Sequence, residues 1–329
     1  MMDEVEARPV AAGTREPAER LRRAMEAGLV GHEALVERLL IALLTGGHVL
    51  VEGAPGLAKT RAVRRLADGI EGGMARIQCT PDLMPADITG TQVFRPDSGT
   101  MDFLPGPVFH PLVLVDEINR APPKVQSALL EAMAERQVTT GGITRPLGET
   151  FMVVATQNSL EHEGTFPLPE AQLDRFLMHV ALAMPDAARE LAILDLVEGE
   201  LRGDTPPAGA PLDPATLAAM QRAVAGVHLS LALRQYIVRL VMATREPVEG
   251  LAVRERILHP VSPRGSLALA ASARARAFLE GRDYALPEDV ETLAPDVLSH
   301  RLVPTWRAQA AGETGRGILA EILAAVRPL

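Results

Sequence analysis

The stretch HVLVEGAPGLAKTRAVRRLA, residues 48–67, decides the fold. It runs from a short apolar strand through a loop of small residues into an amphipathic helix. The loop GAPGLAKT, Gly53 to Thr60, satisfies seven of the eight positions of G-x-x-x-x-G-K-[ST], with Ala58 where the second glycine belongs. In this context Gly53, Ala54, Pro55, Gly56 and Leu57 shape a turn whose backbone N–H groups, with the helix N-terminus, attract phosphate. Lys59 is expected to reach the β- and γ-phosphates of ATP, and Thr60 to offer its hydroxyl to Mg2+. A plain strand-to-helix turn of small residues accounts for the loop alone equally well. Alanine keeps its N–H and favours helix, so Ala58 is expected to begin the helix with φ below zero. A positive φ there, or a methyl blocking the phosphate path, would reverse the reading of the loop as a phosphate cradle.

Outward from this stretch, further apolar runs follow at ARIQC (75–79), LVLVDE (112–117), FMVVATQ (151–157) and FLMHVALAM (176–184). Nearly continuous apolar runs alternating with helical patterns such as KVQSALLEAMAERQ (124–137) predict an α/β sandwich around a parallel sheet. Two inserts read as hairpins, about 90–107 with Asp97-Ser98-Gly99 at its turn and 137–153 with Gly141-Gly142. The expected organisation is a loose leader over 1–20, an α/β core over 21–184 and an all-helical domain over 185–329.

Composition sets bounds. Of 329 residues, 47% are hydrophobic and 23% charged, which suits a globular chain with a mostly aliphatic core. No charge-free apolar run reaches about 18 residues, so no membrane span is expected. A single cysteine, Cys79, excludes an intrachain disulfide and suits a reducing cytoplasm. The net charge of −9 argues against sequence-independent nucleic-acid binding as the main task. Only two of the 33 basic residues are lysine, and one of them is Lys59, where phosphate chemistry wants a compact ammonium.

Several residues could join the loop. Asp116 and Glu117 close the apolar run LVLV, at the strand end where open parallel sheets bind ligands. Asp116 could hold Mg2+, directly or through water, and Glu117 could orient or deprotonate the attacking water, or the pair could be a polar strand end facing solvent. Asn158, after the run ending in Gln157, could place that water or cap a turn. Arg175 in PEAQLDRF could stabilise phosphoryl transfer from a neighbouring subunit, or pair locally with Asp174 or Glu170. Ser262-Pro263 is good helix-start chemistry and places Arg264 in a first turn, as a solvated charge or reaching toward the nucleotide. His162, between Glu161 and Glu163, lacks a ligand set elsewhere and reads as a solvated loop.

Taken together these blocks resemble the MoxR-type AAA+ ATPases, whose phosphate loop commonly reads GxPGxAKT. RIQCTPDLMPADITGT, PGPVF, DEINRAPPKVQSALLEAM, ERQVT, ATQN, EGTFPLPEAQLDRF and SPRGSLALA follow in the family's order from about residue 20 to 303. VSPRGS departs slightly from the more usual SPRAS. The resemblance implies a P-loop NTPase (AAA+) αβα core, a C-terminal helical lid and a homo-oligomeric ring, usually a hexamer. It assigns Lys59 and Thr60 to phosphate and metal, Asp116 and Glu117 to metal and water, and Asn158 to sensor 1. It makes Arg175 an arginine finger acting in trans and Arg264 sensor 2, in cis or trans. Val30-Gly31 matches the segment near the adenine, and the hairpins match inserts associated with partner or substrate handling. It further implies chaperone-like work on protein clients, often with a von Willebrand factor A domain partner. A nucleic-acid motor and a nucleotide-gated binding module with little turnover are the competing readings.

Overall fold

The computed structural model describes residues 12–158, 164–204 and 209–328. His162 and its flanking glutamates lie outside them. Helices α1 (Arg15–Ala27) and α2 (Glu33–Thr45) precede strand β1 (Val49–Glu52), and α3 (Lys59–Asp68) follows the small-residue loop. Next come β2 (Met74–Gln78), the short α4 (Pro85–Thr89), the hairpin β3–β4 (Gly90–Arg95, Thr100–Pro105), β5 (Leu112–Asp116) and α5 (Pro123–Glu135). The hairpin β6–β7 (Gln137–Thr140, Ile143–Pro146), β8 (Met152–Gln157), α6 (Glu170–Leu173) and β9 (Met178–Ala181) complete the α/β part.

Five strands form one parallel sheet in the order β2-β5-β8-β1-β9. Alternate residues of each strand enter opposite layers, as strand geometry requires. Leu112, Leu114, Met152 and Val154 pack toward α1, α2 and α3, whereas Val113, Val115, Val153 and Ala155 pack toward α5. Both faces are covered, which is why these strands read as unbroken apolar runs rather than alternating ones. The register sets Glu52 beside Gln157 and Gln78 beside Asp116. The C-terminal ends of β1, β2, β5 and β8 therefore finish at one edge.

After β9 come α7 (Ala187–Leu201), α8 (Pro214–Ala225), α9 (Leu231–Met242), α10 (Pro263–Leu279), α11 (Pro287–Leu298), α12 (Trp306–Ala310) and α13 (Gly315–Ala325). This region is not all-helical: β10 (Ile257–His259) pairs antiparallel with β11 (Val303–Pro304). Two or three residues, flanked by prolines, are too few for a period-two pattern to emerge. The lid's core is continuous with that of α2. Buried arginine–carboxylate pairs span the joint: Arg38 donates to Asp296 at 3.0 Å and Arg276 to Glu37 at 3.1 Å.

Two boundaries differ from expectation. The supposed leader is helical from Arg15, because Ala18 and Leu21 bury on the α2 layer. The second hairpin ends at Pro146, and residues 152–153 belong to β8 instead. Its turn is Gly141-Gly142, both with positive φ (60° and 77°), the geometry a two-residue hairpin loop requires.

Candidate functional site

The aligned strand ends open onto a cleft of about 550 Å³. Its lining includes Pro55 to Arg61 from the loop and α3, Asp116 and Glu117 after β5, and Thr156 and Asn158 from the end of β8. Lys59, Thr60, Asp116, Glu117 and Asn158, far apart in sequence, thus share one cavity. Gly53 and Ala54 lie behind it, where their carbonyls accept hydrogen bonds from the Lys59 ammonium.

The backbone of the loop overturns one expectation. Ala58 has φ +52° and ψ 19°, the left-handed region, and α3 begins one residue later at Lys59. Ala58 is the residue before the helix, not its first. An L-residue in this conformation costs roughly 1–2 kcal/mol. The expected negative φ is absent and the backbone condition for reversal is met, so helix propensity does not explain alanine there and the phosphate reading rests on the residues gathered around the cleft. Obstruction does not follow, because Ala58 borders a cleft that stays open. The substitution adds strain. Gly56, at φ +86°, has open space around it.

Glu117 is a second strained residue, at φ +57°. Its backbone N–H donates to the Thr156 hydroxyl at 3.0 Å, and that hydroxyl donates to Asp116 Oδ1 at 3.1 Å. One threonine on β8 thus sets the orientation of both acids. Arg76 Nε donates to Asp116 Oδ2 at 2.7 Å. The Glu117 carboxylate takes Gln78 Nε2 at 3.2 Å and Arg120 Nε at 3.1 Å. Sequence reasoning missed Thr156, Arg76 and Gln78. The signal was present: Arg76 and Gln78 are alternate polar residues in an otherwise apolar strand, and Thr156 directly precedes the polar end of β8. Cys79, next along β2, is buried, and burial, with Asp116 and Glu117 nearby, pushes its thiol up to about 12, so it is inert.

Among the described residues no cluster of three metal-ligating side chains exists. Mg2+ needs few protein oxygens, because it keeps waters and takes phosphate oxygens. The Thr60 hydroxyl and Asp116 carboxylate on one cleft suit it. Thr156 and Arg76 each take one oxygen of Asp116, and each oxygen retains a further lone pair.

Beside the cleft lies a smaller cavity of about 210 Å³, mostly apolar. Leu29 and Val30 wall one side, Leu57 and Ala58 the floor, and Ile193, Leu196 and Val197 of α7 the roof. Gly31 adjoins it at φ +79°, its N–H donating to Glu33 at 3.1 Å. The smaller cavity is lined mostly by apolar side chains, and the larger holds the charged ones.

Arg175 and Arg264 line neither cavity. Arg175 donates to the Leu130 carbonyl on α5. Its expected local partner, Asp174, instead receives Ser262 at 3.1 Å, Arg301 at 3.0 Å and Arg264 at 3.5 Å. Ser262 also caps α10, accepting from the Arg264 N–H at 3.2 Å.

The sequence profile of the ATPase family associated with various cellular activities (AAA) matches residues 48–178, and that of the AAA lid domain matches 250–322. Chaperone MoxR1 of Mycobacterium tuberculosis is 48% identical over 86% of this chain and 74% of that protein. The chain belongs to the MoxR family of AAA+ ATPases. Protein MoxR of Methylorubrum extorquens is 33% identical over 90% of this chain and 91% of its own. A solved structure from Cytophaga hutchinsonii, assigned provisionally as an ATPase, superposes at TM-score 0.88 with 41% identity, covering 96% of both chains. In this MoxR-family chain the loop, both acids and Asn158 fall inside the matched AAA region, and Arg264 falls inside the matched lid. Among the described residues no helix is long and apolar enough to cross a membrane.

Proposed function

We propose that the chain hydrolyses ATP to ADP and phosphate in the larger cleft and uses the cycle to remodel or mature protein complexes in the cytoplasm. The observation that carries this reading is the convergence of Lys59, Thr60, Asp116, Glu117 and Asn158 on one cavity at the sheet edge. The Lys59 ammonium balances phosphate charge, and the loop N–H groups hold the β-phosphate side. Thr60 and Asp116 would hold Mg2+, which would neutralise phosphate charge when bound. Glu117, one-third exposed and held by Gln78 and Arg120, takes a proton from the attacking water, which Asn158 positions.

The reading includes a homo-oligomeric ring, with six subunits the expected number. Arg175 stays on α5 of its own chain, away from its own cleft, as a finger serving a neighbour would. Leu191, Leu194 and Leu201 stand more than half exposed on α7, a surface that a second subunit would cover. The relative's name, a chaperone, supports a protein client, and a von Willebrand factor A domain protein is the partner to seek. The hairpins carry exposed Phe94, Met101, Leu104 and Ile143 for such contacts.

ATP turnover and binding, measured side by side, test the assignment. Lys59→Ala is expected to lose binding. Glu117→Gln keeps binding and loses turnover by at least about a hundredfold. Arg175→Ala lowers turnover more than binding. Equal turnover in all four proteins would sink the catalytic reading. DNA- or RNA-stimulated turnover that weakens with salt would favour a nucleic-acid motor instead.

A further inference from the structure

The Arg61 side chain borders both cavities, one residue beyond Thr60, and its guanidinium bonds across the smaller one. Nε donates to the Gly28 carbonyl at 2.8 Å, Nη1 donates to Glu200 Oε2 at 3.0 Å, and Nη2 donates to the other Glu200 oxygen. Arg65, one turn further along α3, approaches the same carboxylate at 3.5 Å. These contacts join the three walls of the smaller cavity: the 28–32 loop, α3, and α7.

Packing alone does not fix that roof. No residue of α7 is fully buried, although Ile193, Leu196 and Val197 face the cavity. Glu200 lies one helical turn beyond Leu196 and Val197, so its tether to α3 sets the distance between roof and floor. The loop wall is equally constrained. A methyl on Gly28 would lie 2.4 Å from Arg65 Nε and would push that guanidinium aside, so the loop packs directly against the arginine, the Gly28 φ of −104° being ordinary. A bidentate arginine fork is the right group for such a joint, because it fixes direction as well as distance.

We propose that Arg61, Arg65 and Glu200 form a clamp that positions α7 over the base-side cavity and sets how tightly the site holds the nucleoside half of ATP. The inference rests on the ATP reading above. These are positioning residues, because three of the five N–H donors of Arg61 go to Gly28 and Glu200. Breaking the clamp loosens the roof and leaves Lys59 and the loop in place.

Calorimetric titration with ATP and with inorganic tripolyphosphate, both with Mg2+, separates the two halves of the site. In Glu200→Gln the Kd for ATP is expected to rise about tenfold, the scale of a charge-assisted hydrogen-bond pair, while that for tripolyphosphate stays within about twofold. Glu200→Asp recovers part of the loss. Combining Glu200→Gln with Arg61→Gln adds little to either alone, as for partners in one interaction. Equal weakening of both ligands by Arg61→Gln would place Arg61 on the phosphates and overturn the clamp, and so would unchanged ATP affinity in Glu200→Gln. Lys59→Ala weakens both ligands. Wild-type protein that binds neither would remove the ATP reading itself and the clamp with it. Wild type that binds ATP as tightly as Glu200→Gln removes the clamp alone. The ratio of the two affinities decides the outcome even if the variant melts lower.

Discussion

Two aspartate–arginine pairs in this molecule have similar contact distances and different surroundings. At the cleft, Arg76 meets Asp116 at 2.7 Å with nearly half of the arginine side chain exposed. At the core–lid seam, Arg301 meets Asp174 at 3.0 Å with 3% of its side chain exposed. Arg301 also donates to the carbonyls of Phe176, Leu177 and Val297, and Asp174 receives Ser262 and Arg264 as well. Burial pulls its guanidinium down to about 10, with Asp174 opposing, so it stays charged at neutral pH. The seam pair is closed and saturated and holds two parts of the chain together. In the cleft pair only the arginine is open to solvent, while Asp116 is buried at the cleft floor and keeps its bond from Thr156.

The largest expected effect breaks the seam. Asp174→Ala leaves Arg301 buried beside carbonyls alone and should destabilise the fold by about 3–5 kcal/mol in urea denaturation. A loss below about 1 kcal/mol would erase the distinction between the pairs. Acid should loosen the molecule next. His48 is buried between the Val153 N–H, which it accepts, and the Met133 carbonyl, and burial lowers its pKa to about 4. His300, at the seam against the Phe176 carbonyl, is depressed in the same direction by burial and by Arg301. The unfolded chain binds these protons near pH 6.5 and the fold resists them. The stability they contribute is therefore complete above about pH 6.5 and drains as pH falls toward 4, by about 3 kcal/mol from His48. Thermal melts from pH 7.5 to 4.5 check it, and His48→Gln should flatten the slope.

Arg76→Ala at the cleft should cost less than Asp174→Ala, about 1 kcal/mol, since the arginine is nearly half exposed and Thr156 still bonds the buried Asp116. A loss as large as that of Asp174→Ala would show the cleft pair to be structural. The smallest effect is at the loop. Ala58→Gly removes roughly 1–2 kcal/mol of left-handed strain and returns about 1 kcal/mol as unfolded-chain entropy. A net stabilisation of up to about 1 kcal/mol is expected by urea denaturation. Destabilisation would mean that the alanine methyl packs favourably enough to outweigh its backbone.

Much of this was legible in the chain. The five strands fall within a residue or so of their apolar runs, except that β9 occupies only the middle of its longer run. Gly46 stops α2 in the left-handed conformation, and Gly141-Gly142 turns a hairpin. These features depend on local periodicity and on residues with special backbone freedom. The start of α1, the ribbon β10–β11 and the end of the second hairpin were not legible, because burial against distant residues sets them. At the site, the loop and the acid pair announced themselves through strand-end position. Thr156, Arg76 and Gln78 did not, since each is an ordinary polar residue until the register aligns it.

The sequence by itself determined the parallel sheet, the phosphate-type loop, the acid pair and the family, because each is written in contiguous residues with a fixed spacing. Tertiary structure decided the rest. It placed Ala58 before the helix in a left-handed turn, paired Arg61 with Glu200, and gave Asp174 to the lid rather than to Arg175. The physical reason is common to all three. A side chain's partner is chosen by which elements pack side by side, and that is fixed by the burial of apolar faces hundreds of residues apart as much as by neighbours in the chain.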